Sequence, residues 1–186
     1  TIDYINYLLK QKKKVFMVTN NATVTEEQVK QKLNGFEIDT QDVVVVTSAM
    51  ATAFALQKNT LKSAYIIGEE VLHDICSKAG IVHEKEEPQA VILGLNRQVT
   101  YLELARAAEF LQKRDIPFYA TNYDLRLAQE DYFLPGAGTL VNVVEQASLQ
   151  KAEICGKPYL PMSEYLSSII TDIEKDQWLM IGDNYD

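Results

Sequence analysis

The chain has 186 residues, of which 47% are hydrophobic and 24% charged, with a formal net charge of −8 at pH 7. That composition belongs to a globular protein and excludes a disordered or fibrous one. The acidic balance excludes a nucleic-acid-binding surface, which needs a basic stripe, and no apolar run is long enough to cross a membrane.

In chain order, Lys12-Lys13-Lys14 is the one basic run. It reads as a solvated helix end, where cations complement the helix dipole. Val15–Thr19 is the first strand candidate and runs straight into Asn20-Asn21. Thr25-Glu26-Glu27-Gln28 carries the capping-box pattern of a helix start. Val43–Thr47 is a second continuous apolar strand, and the alanine-rich stretch from Ser48 to Gln57 has strong helical propensity. Further strands are expected at Ala64–Ile67, Ala90–Leu93, Phe118–Ala120, Ala152–Cys155 and Trp178–Ile181, and Thr100-Tyr101-Leu102-Glu103 repeats the capping box. Apolar runs without polar alternation are the pattern of parallel strands covered on both faces. Their alternation with helical segments predicts an α/β fold with a Rossmann-like parallel sheet.

Cys76 falls in an amphipathic helix pattern and Cys155 in a strand. Their spacing makes neither a disulfide framework nor a zinc site, so both read as small buried hydrophobes. A reducing, cytoplasmic setting is expected. His73 and His83 lie outside every candidate motif and read as surface or helix histidines. A dinucleotide-binding domain is disfavoured because no Gly-x-Gly-x-x-Gly occurs.

Three polar signatures follow apolar runs directly: Thr19-Asn20-Asn21, Gly156-Lys157-Pro158 and Gly182-Asp183-Asn184. Ligands of open α/β sheets bind beyond the carboxyl ends of the strands. A hydroxyl, an ammonium and a carboxylate would therefore meet on one rim, a set that suits a metal-bound phosphoryl group. Thr19 would hydrogen-bond a phosphoryl oxygen, Lys157 would neutralise its charge, and Asp183 would hold Mg2+ through oxygen. Main-chain N–H groups at Asn20 and Asn21 could cradle phosphate oxygens. In the long polar segment from Thr121 to Gly138, Asn122 and Asp124 either face a substrate's leaving group or stabilise a turn.

These motifs, with Thr47-Ser48-Ala49, Tyr65-Ile66-Ile67-Gly68-Glu69, Thr121-Asn122-Tyr123-Asp124 and Leu134-Pro135-Gly136-Ala137-Gly138, resemble haloacid dehalogenase-type phosphatases of subfamily IIA, the NagD-like and p-nitrophenyl phosphatase-like group. The resemblance spans essentially the whole chain. It implies a split core, residues 1–47 and 151–186, with a cap inserted at 48–150. It also implies magnesium-dependent hydrolysis of small phosphorylated metabolites (sugar phosphates, nucleotides, aryl phosphates) through an aspartyl-phosphate. The family's first motif, Asp-x-Asp-Gly, occurs nowhere in these residues; the resemblance places it, with the nucleophile, on a strand before residue 1. It also places the rest of the core beyond residue 186, so these residues alone are expected to be inactive. A degenerate phosphate-binding module without catalysis is the rival reading. Tyr159 departs from the family, which usually carries an acidic residue there. A homodimer is left open; a nucleic-acid partner is not expected.

Overall fold

A computed structural model describes residues 2–182. Helix α1 (Ile2–Lys10) leads into β1 (Val15–Thr19), α2 (Glu26–Asn34), β2 (Val43–Thr47) and α3 (Ser48–Lys58). There follow β3 (Ser63–Ile67), α4 (Glu70–Lys78), β4 (Val82–His83), β5 (Val91–Leu93), α5 (Tyr101–Lys113) and β6 (Phe118–Ala120). The chain continues through β7 (Arg126–Ala128), β8 (Phe133–Pro135), α6 (Ala137–Ser148), β9 (Glu153–Ile154) and α7 (Leu160–Ile169).

Both predicted capping boxes form. The Thr25 hydroxyl accepts from Gln28 N at 3.2 Å while the Gln28 side chain accepts from Thr25 N at 2.8 Å. Thr100 and Glu103 repeat the exchange at 3.3 and 2.7 Å. Each box satisfies two N–H groups that a helix start would leave without partners. Thr47 ends β2 and its hydroxyl accepts from Met50 N, so strand passes into helix without a loop.

The strands form two parallel sheets. The first pairs β1 with β2 in register, Val15 beside Val43 through Thr19 beside Thr47. The second has five strands in the order β4-β3-β5-β6-β9. Its buried side chains alternate between two cores. Ala64, Ile66, Ile92, Tyr119 and Cys155 point to one face, against α3 and α4. Tyr65, Ile67, Val91, Leu93, Phe118, Ala120 and Ile154 point to the other, against α5 and α6. Burial on both faces explains why the sequence shows apolar runs rather than alternation. Helix α3 serves two cores: Ala49, Ala53 and Leu56 face the five-stranded sheet, while Ala51 packs with Val46 and Met162.

Three departures from the sequence reading stand out. The sequence groups Ala152–Cys155 with the unit containing β1, but β9 pairs in parallel with β6, Tyr119 beside Glu153 and Ala120 beside Ile154. The open edge of β6 accepts it, and Ile154 completes the α5–α6 core. Trp178–Ile181 forms no strand among the described residues. Leu179, Met180 and Ile181 are exposed, and without a ladder partner an apolar run does not become a strand. Lastly, residues 121–138 are not one long loop: β7 and β8 pair antiparallel, Leu127 opposite Leu134.

His73 lies in α4, while His83, expected at the surface or in a helix, lies half-buried in β4. His83 Nδ1 accepts from Ile66 N at 3.0 Å, and its ring packs edge-on against His73 at 5.1 Å and tilted against Tyr65 at 5.5 Å. Burial lowers the pKa of both histidines. Cys76 and Cys155 are fully buried free thiols. Burial pushes each of them up to about 12, which removes them as nucleophiles. No helix among the described residues is long and apolar enough to cross a membrane.

Candidate active site

Four strand ends from the two sheets converge. The exits of β1 at Asn20, β2 at Ser48, β6 at Thr121-Asn122 and β9 at Gly156-Lys157 lie against one another. Gly156 sits at the centre. A Cβ there would lie 2.6 Å from Asn20 Oδ1, 2.6 Å from the Thr121 carbonyl oxygen and 3.1 Å from Asn122 Cβ. Only glycine allows this approach, since no real Cβ tolerates contacts that short.

Thr19 closes a small turn of its own, its hydroxyl accepting from Asn21 N at 3.1 Å. A hydroxyl that accepts one bond keeps its proton for another acceptor. Among the described residues none receives it. Asn21 is spent locally: its Oδ1 accepts from both the N–H and the hydroxyl of Thr23, at 2.9 and 2.8 Å. The N–H of Asn21, expected to cradle an anion, donates here to the Thr19 hydroxyl.

Asn20 joins the two motifs. Its Oδ1 accepts from Lys157 N at 2.7 Å and its Nδ2 donates to the Lys157 carbonyl at 3.1 Å. The Asn20 carbonyl accepts from the fully buried Ser48 hydroxyl at 2.7 Å, and Thr52 in turn donates to the Ser48 carbonyl at 2.8 Å. The β1 turn is thus bolted to α3 on one side and to the β9 exit on the other. The Lys157 side chain is half-buried, and its ammonium makes no ion pair among the described residues. The main chain of Lys157 therefore lies against the turn that follows Thr19.

Asn122 and Asp124 sit at the exit of β6. The buried Thr121 hydroxyl donates to Asn122 Oδ1 at 2.9 Å, and Asn122 Nδ2 donates to Asp124 Oδ2 at 2.9 Å. The chain of bonds fixes an exposed carboxylate beside the site. Gly138 N donates to the Asp124 carbonyl and Gly136 N to the Leu125 carbonyl, at 3.0 and 2.9 Å, which locks this turn onto the start of α6.

Glu145, which sequence reasoning missed, supports the whole arrangement from behind. It is 4% exposed and accepts from Lys151 Nζ at 2.7 Å, Ala152 N at 3.0 Å and the Tyr123 hydroxyl at 3.1 Å. Burial alone would raise its pKa, but the bonds from Lys151, Ala152 and Tyr123 outweigh it and hold the carboxyl below the usual range. It ties α6 to both the β6 exit and the β9 entry. A signal existed: Glu145 lies four residues after Val141, on the helix face that Val141 and Val144 bury.

Asp183, the expected magnesium ligand, lies outside the described residues, as does Asn184. Among the described residues no group of three or more His, Cys, Asp or Glu side chains is placed to hold a metal.

Comparison with known proteins identifies the family. Residues 1–82 match the profile of the haloacid dehalogenase-like hydrolases. The acid sugar phosphatase of Staphylococcus haemolyticus is 35% identical over 185 residues, covering 98% of this chain and 70% of its own. The chain belongs to the haloacid dehalogenase-like hydrolases. Within that family it falls in the NagD-like, p-nitrophenyl phosphatase-like branch. The thermostable p-nitrophenylphosphatase of Bacillus stearothermophilus, solved as a mutant, superposes with a TM-score of 0.90 at 33% identity, over all of this chain and 72% of that one. The 4-nitrophenylphosphatase of Thermotoga maritima gives 0.81 at 26% identity, over 90% of this chain and 64% of that one.

Proposed function

We propose that this hydrolase cleaves small phosphomonoesters, sugar phosphates or nucleotides among them, with aryl phosphates as artificial substrates. The observation that carries the reading is the Asn20 clamp, which holds the main chain of Lys157 against the turn that follows Thr19. In a molecule of net charge −8, a dianionic substrate needs a local cation, and Lys157 supplies it. The ammonium offsets charge on the transferring phosphoryl oxygens, and the Thr19 hydroxyl donates to one of them. Both act on charge that builds in the transition state, so they raise turnover more than binding. The attacking group is a carboxylate that is none of the described side chains at this rim. Asp124, held by Asn122, and the β7–β8 hairpin face the leaving group, so residues 48–150 act as a selectivity cap over the strand exits. Magnesium, held by Asp183, would supply further charge neutralisation. Two free buried cysteines fit a reducing cytoplasm.

Lys157→Ala tests the reading. In the intact protein with p-nitrophenyl phosphate and Mg2+, kcat should fall on the order of a hundredfold or more, with far-UV circular dichroism unchanged. A chelator should abolish wild-type turnover and added Mg2+ restore it. Near-normal turnover by a folded Lys157→Ala protein would show the lysine to be a surface residue.

A further inference from the structure

We infer that Asn20 is a positioning residue that acts on the reaction through Lys157, setting where the ammonium stands rather than holding substrate itself. The inference rests on the reading of Lys157 as the charge-neutralising group.

The two bonds are the donor–acceptor pair of one amide meeting one residue's main chain. Oδ1 takes the Lys157 N–H at 2.7 Å and Nδ2 gives to the Lys157 carbonyl at 3.1 Å. The partners fix the orientation of the amide, because a main-chain N–H only donates and a carbonyl only accepts. The pair spans a sequence separation of 137 residues. It reproduces with a side chain the exchange that neighbouring strands make with their backbones. β1 and β9 belong to different sheets, so no backbone ladder couples them, and the clamp does so at the residue where coupling matters.

Both ends of the clamp are stiffened. On the Asn20 side, its carbonyl is bonded by the fully buried Ser48 hydroxyl. On the Lys157 side, Gly156 lets the main chain settle to a depth that any Cβ would forbid. A lysine side chain has four rotatable bonds and points wherever its Cα frame sends it. Fixing the two peptide groups that flank that Cα confines the volume the ammonium can reach. A displacement of about 1 Å at a reacting centre can cost on the order of a hundredfold in rate.

The competing assignment makes Asn20 a direct phosphate ligand through the second hydrogen of Nδ2. A double-mutant cycle separates the two. With p-nitrophenyl phosphate and Mg2+ in the intact protein, Asn20→Ala should lower kcat by roughly tenfold to a hundredfold, with a smaller change in KM. In a Lys157→Ala background the same substitution should change kcat by no more than about twofold, because its effect runs through the missing ammonium. Equal factors in both backgrounds would overturn the inference and make Asn20 an independent ligand. A Lys157→Ala protein with wild-type turnover would instead overturn the reading of the lysine. Melting curves accompany each variant. If Asn20→Ala does not fold, Asn20→Asp takes its place in the cycle, since it keeps an acceptor for Lys157 N–H but sets a carboxylate against the carbonyl. The same two patterns, loss only with Lys157 present or equal loss in both backgrounds, then support or overturn the assignment.

Discussion

Removing the Glu145 carboxylate should loosen the protein far more than a single mid-helix glutamate normally would. Glu145→Ala deletes three accepted hydrogen bonds, from Lys151, Ala152 and Tyr123. They do not weigh equally. The Lys151 side chain is 74% exposed, so that ion pair is screened by water and contributes little. The other two decide the outcome. Ala152 N–H and the Tyr123 hydroxyl are part-buried, and each loses its partner where water enters poorly, at about 1–2 kcal/mol apiece. The sum is about 2–4 kcal/mol, which lowers the melting temperature by roughly 5–15 °C in a protein of this size. Glu145→Gln keeps an acceptor for Ala152 N–H and should lose only about 1 kcal/mol. The difference between wild type and Glu145→Gln must also depend on pH. The folded carboxyl titrates below its unfolded value, so its contribution is complete above about pH 4.3 and vanishes as pH falls through the folded value. Thermal denaturation followed by circular dichroism at pH 7, and at steps from pH 5 to 3, measures both effects. A Glu145→Ala protein melting within about a degree of wild type would refute the argument, as would a Glu145→Gln gap that stays constant down to pH 3.

Gly156→Ala should both destabilise the fold by about 1–3 kcal/mol and depress turnover, because one of the atoms its Cβ would strike is the Thr121 main-chain oxygen, which cannot swing aside; unchanged kinetics and melting would show the four strand ends to be loosely joined. His83 should make the protein acid-sensitive in a mild range. Burial lowers its folded pKa, so the neutral ring, with Nδ1 accepting from Ile66 N, contributes fully above the unfolded value of about 6.5 and progressively less as pH falls from there to the folded value. Urea midpoints at pH 7.5 and 5.5 should drift apart in wild type and draw together in His83→Asn, which keeps an acceptor but does not titrate.

Much of this architecture is legible because it is local. The two capping boxes are four-residue patterns, and β3, β5 and β6 of the five-stranded sheet announce themselves as apolar runs buried on both faces. The errors arise where a neighbour, not the segment, decides. Trp178–Ile181 is as apolar as β1 but has no ladder partner among the described residues, while β9 is short and polar at Glu153 yet pairs because β6 offers a free edge. The β7–β8 hairpin is hidden because Arg126–Ala128 lacks β-branched residues and has no Asn-Gly or Asp-Gly turn to mark it. At the candidate site, residue type and setting single out Thr19 and Lys157 as the proposed phosphate-facing groups. The clamp made by the Asn20 amide cannot be read this way, because nothing in its own neighbourhood reveals a partner 137 residues away.

The depth at which the two thiols lie gives the molecule a built-in reporter. Cys76 comes from α4 and Cys155 from the exit of β9, yet both are sealed in the same cluster between the five-stranded sheet and helices α3 and α4. Neither is reached by solvent in the closed fold. Alkylation by a maleimide or a disulfide reagent therefore waits on opening of that layer, and its rate counts how often α3 and α4 part from the sheet. Cys155 lies two residues before Lys157, so labelling resolved to each thiol would tell fraying at the β9 exit from release of α4.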